Sequence, residues 1–545
     1  MSIIHKLSIP KFRPFHCSLS FSRSPVLMSI IHKLSIPNRT TVSPLFAMAP
    51  ETMEEQEPNN MSAFFMSVAH DHGMALKSSE DYMDGYQEKL KKLKVALWNA
   101  RDSSECLIMI DGLQRLAIDY HFEEEIEAIL GRINRSIAES DGVYDDNDLY
   151  YVSLRFRLLR QNGYHPSADV FNKFKDEKET FKLSLREDHR GIMELFEASE
   201  LRIEGEIILD EASVFASKHL NDVLKHVGED EARVIRDTLN HPFNKSLARF
   251  KAKPYIKNFE RDYGTNDILQ ELVKVDFNIV QTLHQKELLE VSMWWKDLGL
   301  TRELKFARNQ PVKWYLWSIA ALSDPRYSKE RIELTKPISL IYIMDDIFDV
   351  QGTFDELVLF TEAINMWDLS AMEKLPHYMK VFYKVIYDIT DDISSKVFEE
   401  HGCNPSNSLR KAWGKLCDAF LMEAKWFASG KVPEAEEYLK NGTISTGVHD
   451  EKQDGHDGSY INCYLKENRS STVESARKHV FCMISDAWKR LNKECLSSTP
   501  FSSSFVKASL NAARMVSLMY SYDDNHQLPN LEEHIKSLLY ENITL

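Results

Sequence analysis

At 545 residues the chain exceeds one ordinary domain, and with 43% hydrophobic and 11% aromatic residues it can bury sizeable cores, which excludes a wholly disordered, collagenous or mucin-like polypeptide. Lysine and arginine number 67 against 83 acidic residues, a formal net charge of −16, so non-specific attraction to nucleic acid or to an anionic membrane is disfavoured and neither is expected as a partner. The longest central apolar run, Ile338 to Met344, is interrupted by Ser339 and falls far short of the roughly 20 residues a bilayer-spanning helix needs.

Met1 to Pro50 contains no Asp or Glu, while Lys6, Lys11, Arg13, Arg23, Lys33 and Arg39 lie among nine serines and six prolines. That is the composition of an organellar transit segment, and Pro10, Lys11 and Pro14 break the continuous apolar core that a secretory signal requires. Residues 1–52 are therefore expected to be a disordered leader. Its serine content and modest arginine content favour the plastid, with mitochondrion and cytosol as alternatives. MSIIHKLSIP occurs at positions 1–10 and again at 28–37, a duplicated start that leaves Met28, Met48 and Met53 as further candidate starts. Seven cysteines without a CxxC spacing read as reduced structural thiols.

From about Ser78 the apolar residues recur three and four apart among charges, as in Tyr86 to Ala100, Ala117 to Arg135 and Glu200 to Leu224, the period of helices with one buried face. Glycines and prolines are few and mark joints such as Gly163, Pro166 and Pro242, so the fold class expected is all-α, with short connections. Arg249 to Gly264 is basic and aromatic rather than periodic, and a new amphipathic helix begins near Asp267. The expected division is a helical domain over 53–264 and a second over 265–545.

The chemistry falls in the second half. Ile338 to Asp349 reads ISLIYIMDDIFD, an apolar run ending in Asp345 and Asp346 with a third carboxylate at Asp349. On a helix Asp345 and Asp349 share a face, with Asp346 about 100° around the axis. Such a cluster invites Mg²⁺, with Mn²⁺ as the alternative, because Mg²⁺ takes oxygen ligands and is commonly held by one or two carboxylates plus substrate phosphate oxygens. The bland alternative, a solvated acidic turn, is weakened by the buried run before it. Asp388, Asp391 and Asp392 read instead as a solvated helix end, and Asp523 with Asp524 as a loop. Upstream, Arg308 and Lys313 flank Pro311 at a turn into a helix bearing Trp314, Tyr315 and Trp317. A guanidinium can bind phosphate bidentately, and aromatic faces can stabilise a carbocation. Taken singly, a surface ion pair and a core stripe are the commoner readings of these residues.

FARNQPVKWYLW, SLIYIMDDIFDVQGTFDEL and QDGHDGSY together resemble plant terpene synthases, in particular the subfamily making acyclic alcohols such as linalool and nerolidol. The resemblance extends to LQRLAIDYHFEEEI, FRLLRQNGYHPSADVF, DFNIVQTLHQKEL and WWKDLGL, nearly all of the chain after the leader. It implies two α-barrel domains, the second a class I terpenoid synthase fold. It also implies a prenyl diphosphate substrate, geranyl or farnesyl diphosphate, with the protein a monomer or weak homodimer. Carried over by position, Asp345, Asp346 and Asp349 match the aspartate-rich metal motif, Arg308 the first arginine of a diphosphate-binding loop whose second arginine is Gln310 here, and Tyr520 a pocket aromatic. The tandem arginines of many cyclising relatives are absent, and no DxDD occurs in the first domain. The family's second metal motif is interrupted. YLKNGTISTGV runs through His449 straight into DEKQDGHDGSY, so Glu451 resembles the motif's last ligand while its partners have no counterpart.

Three readings follow: a terpene synthase with full or reduced activity, a catalytically inactive isoform or interaction partner of the same fold, and a phosphotransferase. The third rests on a faint likeness of Asp349-Val350-Gln351-Gly352-Thr353 to a DxDGT phosphatase motif, in which Gln351 replaces the required second Asp.

Overall fold

The computed structural model describes residues 79–543 apart from 101–102, 140–146, 264–266, 403, 446–459, 497–502 and 520–528. The leader, Glu451, Tyr520, Asp523 and Asp524 lie outside the described residues. What is described is helical, and the one bridge of extended chain, Lys175 with Phe181, stands isolated. Among the described residues no helix is long and apolar enough to cross a membrane. The all-α expectation holds, and the alternating strands that a phosphatase of the DxDGT type would need are absent from the described residues.

The first helices are α1 (Ser79–Asn99), α2 (Ser103–Arg115), α3 (Glu123–Glu139), α4 (Leu149–Gln161), α5 (His189–Ser199), α6 (Ile207–Val223) and α7 (Glu229–Asn240). Two expected starts come later than the periodicity suggests. Ala117 sits at φ 57° and opens a short 3-10 turn, Asp119–His121, so α3 begins at Glu123 rather than near Ala117. Gly205 at φ 92° likewise separates α5 from α6, which an unbroken helix from Glu200 would have merged. Left-handed backbone cannot continue a right-handed helix, so the apolar period ran across a break it could not register. Caps are conventional. Asp148 accepts from the amides of Tyr150 and Tyr151, and Asp188 from that of Gly191, satisfying donors that a helix start leaves open.

Charges are buried in this half as a network. Arg157, with no exposed side-chain surface, pairs with Asp111 at 2.5 Å and with Glu194, while Arg115 adds a 2.9 Å bond to Asp111. Glu197 closes the cluster by accepting the Phe243 amide at 2.7 Å. Burial opposes ionisation of Asp111, yet the two guanidiniums win and lower its pKa to about 2. For Glu197 burial outweighs the same arginines and pushes the pKa up to about 7.

The stretch from Arg249 to Gly264, expected as a non-periodic joint, is instead α8 (Ala248–Tyr263), a helix that carries Pro254. Its Ala252 and Ile256 enter the same core as Leu97, Ile110 and Leu130. Burial on one face thus outweighs the composition. Next comes α9 (Asp267–Leu298), starting where the periodicity placed it and running 32 residues. Its residues Leu272, Val273 and Phe277 belong to the core of the first helices, Leu288 and Val291 to a second core, and Trp295 to a third.

Beyond a single turn at Leu300–Glu303 lie α10 (Pro311–Ala321), α11 (Ser328–Asp346), α12 (Phe354–Met366), α13 (His377–His401), α14 (Ser406–Ser429), α15 (Ala435–Ser445), α16 (Tyr460–Glu467), α17 (Val473–Leu496), α18 (Ser503–Met519) and α19 (Pro529–Leu539). Helices α10 and α11 pack together and against α9, α12 packs on α14, and α18 lies on α10. Asp388, Asp391 and Asp392, expected at a helix end, fall within α13 on its exposed face, where Lys384 pairs with Asp388 and Lys396 with Asp392. The solvated role holds while the position differs, because the helix continues through the carboxylates to Gly402 at φ 65°.

Candidate active site

Pro311 is the first residue of α10, a position where its fixed φ suits the helix and its missing N–H costs nothing. The segment before it, Leu304 to Gln310, is therefore held as a loop against α11. Leu304 is buried and Asn309 accepts the indole N–H of Trp295 at 2.8 Å. This pinning delivers Arg308 to the end of α11. Its backbone N–H donates to Asp346 Oδ2 at 2.7 Å, its Nε to Asp346 Oδ1 at 2.7 Å, and its Nη2 to Asp345 Oδ2 at 2.8 Å. Arg308 and the two aspartates, singled out in separate stretches of sequence, thus meet across 37 and 38 positions. Asp345 is 0% exposed and Asp346 4%. Beneath the guanidinium lies the ring of Tyr342, 5.3 Å from Cζ to the centroid, and its hydroxyl accepts the Trp317 indole N–H at 2.9 Å.

Asp349 lies beyond the end of the α-helix that carries Asp345 and Asp346. The α-helix ends at Asp346 and the backbone widens into a π turn, Ile347–Gln351, closed by Gly352 N–H to Ile347 O at 2.8 Å. A π turn takes more residues per revolution than an α-helix, and a four-residue separation across it still returns to nearly the same face. Asp349 is partly exposed where Asp345 and Asp346 are buried. The Thr353 and Glu356 capping box then restarts α12, and the Thr353 amide holds the Glu356 carboxyl below its usual range.

Of the aromatic stripe, Trp314 and Tyr315 are wholly buried and enter two different cores. Trp314 packs edge-on against Trp295 at 4.7 Å, while the Tyr315 hydroxyl donates to Glu287 at 2.6 Å. The same Glu287 is gripped by the fully buried Arg331 at 2.7 and 2.6 Å. These two rings are core, Trp314 also meeting the Tyr342 ring at 6.4 Å, while Trp317 is tied to the aspartate helix by its hydrogen bond to Tyr342. Gln310, in place of a second arginine, caps α10 with its carbonyl, which accepts the Trp314 amide at 3.1 Å. Tyr342 was not singled out by the motif reading, although its place one helical turn before Asp346 puts it on the same face.

Behind the carboxylates is a large apolar core built from α9 to α14, in which Phe348 of the π turn meets Phe420 at 5.5 Å and Phe360 at 6.2 Å. The buried Cys417 thiol reaches Met344 Sδ at 3.5 Å, and burial holds its pKa well above the usual thiol value. Among the described residues no group of three or more His, Cys, Asp or Glu could by itself hold a metal ion. Buried carboxylates ending a helix nevertheless present the all-oxygen donor set that suits a hard divalent cation completed by water and substrate oxygens.

An arginine loop docked on an aspartate-ended helix, beside an apolar core inside an all-helical protein, defines the class I terpene synthases. Residues 60–241 match the family description "Terpene synthase, N-terminal domain" and residues 296–450 match "Terpene synthase family, metal binding domain". Probable terpene synthase 13 of Ricinus communis is 50% identical, the match taking in 81% of this chain and 85% of that protein. An (E)-nerolidol synthase of Cannabis sativa is 46% identical over 83% and 92% of the two chains, and the chloroplastic S-(+)-linalool synthase of Arabidopsis thaliana 40% identical over 85% and 89%. Among solved structures, the grey poplar (Populus x canescens) isoprene synthase in complex with three Mg²⁺ ions and dimethylallyl-S-thiolodiphosphate aligns with a TM-score of 0.76 and 31% identity, over 86% of this chain and 99% of that one. The chain belongs to the terpene synthase family, and fold and family together make it a lyase of that kind.

Proposed function

We propose that the chain ionises geranyl or farnesyl diphosphate in a Mg²⁺-dependent reaction and releases an acyclic tertiary alcohol of the linalool or nerolidol type, with Mn²⁺ able to replace Mg²⁺. The observation that carries this reading is the meeting of Arg308 with Asp345 and Asp346 at the edge of the apolar core. Asp345 and Asp349 would hold the metal with diphosphate oxygens, Asp346 beside them, and Glu451 would add a further carboxylate. When bound, the metal offsets the diphosphate charge that builds as the carbon–oxygen bond breaks. Arg308 supplies fixed N–H donors to the leaving group. Trp317 would offer a ring face to developing positive charge while Tyr342 underlies the Arg308 guanidinium, Tyr520 would add a second aromatic, and the core would exclude water until capture of the cation at its tertiary carbon. The nerolidol and linalool synthase relatives support the product class, and the isoprene synthase complex supports a metal–diphosphate site. Relatives named chloroplastic support a plastid address for residues 1–52, which supplies the C10 donor. The catalytic unit is taken as 265–545 and the helical domain before it as 53–264.

A second reading has its own observation. The metal-binding match stops at residue 450, at the junction where YLKNGTISTGV meets DEKQDG. The alignment with the Ricinus protein also runs over 492 positions while occupying 81% of this chain's 545 residues, fewer residues than positions. Both support an internal deletion that removes most of the second metal motif and makes the chain a non-catalytic isoform.

Incubation of the purified chain with Mg²⁺ and each diphosphate, followed by mass spectrometry of the volatiles, decides between them. Linalool or nerolidol above the buffer rate, lost in Asp345→Ala by at least about a hundredfold, supports the enzyme. A helical, soluble protein that makes no volatile product supports the isoform.

A further inference from the structure

Outside the site around Arg308, the first helices bring two histidines together. His189 is the first residue of α5, and His219 lies on α6, which packs along α5. Their ring centroids stand 5.9 Å apart with the planes inclined at 47°. Each ring is oriented by an oxygen from another element. His189 Nδ1 lies 2.8 Å from Glu231 Oε1, in the first turn of α7. His219 Nε2 lies 2.9 Å from the carbonyl oxygen of Arg186, in the short turn Leu183–Glu187.

These partners settle the tautomers. A carboxylate and a carbonyl oxygen only accept, so neutral His189 carries its proton on Nδ1 and neutral His219 on Nε2. The lone pairs then belong to Nε2 of His189 and Nδ1 of His219, and no described residue donates to either. Two imidazoles on one ion, at ~2.0–2.1 Å per nitrogen, have centroids about 5 to 6.5 Å apart, a range that includes the observed separation. A metal-bound histidine characteristically gives its other N–H to a carboxylate or a backbone carbonyl, and this pair shows one of each. The His189 side chain is 32% exposed, so water can reach the remaining coordination positions.

We propose that His189 and His219 form a two-histidine site for a borderline transition-metal ion of the Zn²⁺ class, which ties the start of α5 to α6 with water completing its coordination. Nitrogen donors select against Mg²⁺, which takes oxygen ligands, so the site differs in chemistry from the carboxylates at the end of α11. Two protein ligands hold an ion less firmly than the four of a structural zinc site, which makes this a reversible site rather than one on which folding depends. Glu231 touches His189 rather than the metal and is a positioning residue.

Zn²⁺ binding to the full chain is measured by calorimetry in excess Mg²⁺, after alkylation of exposed thiols such as Cys482. Paramagnetic resonance of Cu²⁺ at less than one equivalent counts the coordinated nitrogens. The parent is expected to bind Zn²⁺ despite the Mg²⁺ and to show two nitrogens on Cu²⁺. His189→Ala and His219→Ala are each expected to lose that Zn²⁺ equivalent. Glu231→Gln keeps both ligands and an acceptor for Nδ1, and is expected to weaken Zn²⁺ binding about tenfold. His165→Ala, at an exposed histidine between α4 and α5, and Asp345→Ala are expected to leave it unchanged. Unaltered Zn²⁺ binding in either His189→Ala or His219→Ala would overturn the proposal, as would a single nitrogen on Cu²⁺ or a parent that binds no Zn²⁺.

Discussion

Glu197 shows how one buried side chain can set a pH response for its surroundings. It shares its pocket with Arg115, Arg157, Glu194 and Asp111, and burial pushes its pKa up to about 7 against an ordinary value near 4.5. A raised carboxyl pKa means the folded state holds a proton that the unfolded chain has already released, so the contribution to stability is complete below about pH 4.5 and is lost as pH rises through 7. Glu197→Gln removes the ionisation while its amide oxygen can still accept the Phe243 N–H. The stability difference between variant and parent should therefore move in the variant's favour between pH 5 and pH 8, by about 2 to 3 kcal/mol, measured by urea titration at each pH. At this scale the sequence was informative only where chemistry left a local pattern. Asp345, Asp346 and Arg308 stood out as aspartates ending an apolar run and as a cation beside a proline. Glu197 and Asp276 did not, because a single carboxylate in a helical repeat looks the same whether it meets water or two buried arginines.

The element that deserves most weight in the second half is the π turn after α11. It is held by two features: the Gly352 amide closing onto Ile347 O, and the close approach of Leu357 to the glycine. A methyl group added at Gly352 would stand 2.5 Å from Leu357 Cδ2 and 2.9 Å from Ile347 O. Leu357 is 2% exposed and cannot swing into solvent, so Gly352→Ala should cost about 1 to 3 kcal/mol, the usual range for overpacking. Because the same turn carries Asp349, the variant should also weaken Mn²⁺ binding, and thermal melting with and without Mn²⁺ separates the two effects. Helix existence was legible from the three- and four-residue apolar period, as were the start of α9 at Asp267 and of α10 at Pro311. The breaks at Ala117 and Gly205 and the widening at Ile347 were not, since each depends on a backbone angle or a packing partner that periodicity does not encode. Helix α8 was missed for the opposite reason: tertiary burial of Ala252 and Ile256 overrides a basic, proline-containing composition.

At the scale of the whole molecule, Asp276 on α9 is the joint between the first helices and the rest. It accepts from Tyr86 at 2.9 Å, from Tyr120, from His121 at 2.9 Å and from Arg249 at 3.3 Å. Burial opposes its charge, but the His121 bond and the Arg249 guanidinium hold the carboxyl below its ordinary range. Asp276→Asn leaves Arg249 buried beside a neutral group, which should cost about 3 to 5 kcal/mol. Because α9 runs through three cores, that loss should appear as a shift of a single calorimetric transition for the whole chain rather than as early melting of one half.

The far end of the chain returns to the same place. Asn278 exchanges two hydrogen bonds with Ile543, at 2.9 and 3.0 Å, Gln285 donates to Leu539 O, and Lys253 grips Glu541. Ile543 packs against the core of the first helices. The core that begins at Tyr86 is thus sealed by a segment translated 265 positions after Asn278. On the ribosome the N-terminal helices must wait, with an apolar seam open, until that distant strap emerges, and a stalled nascent chain should remain protease-sensitive along α8 and α9 long after both helices have been synthesised.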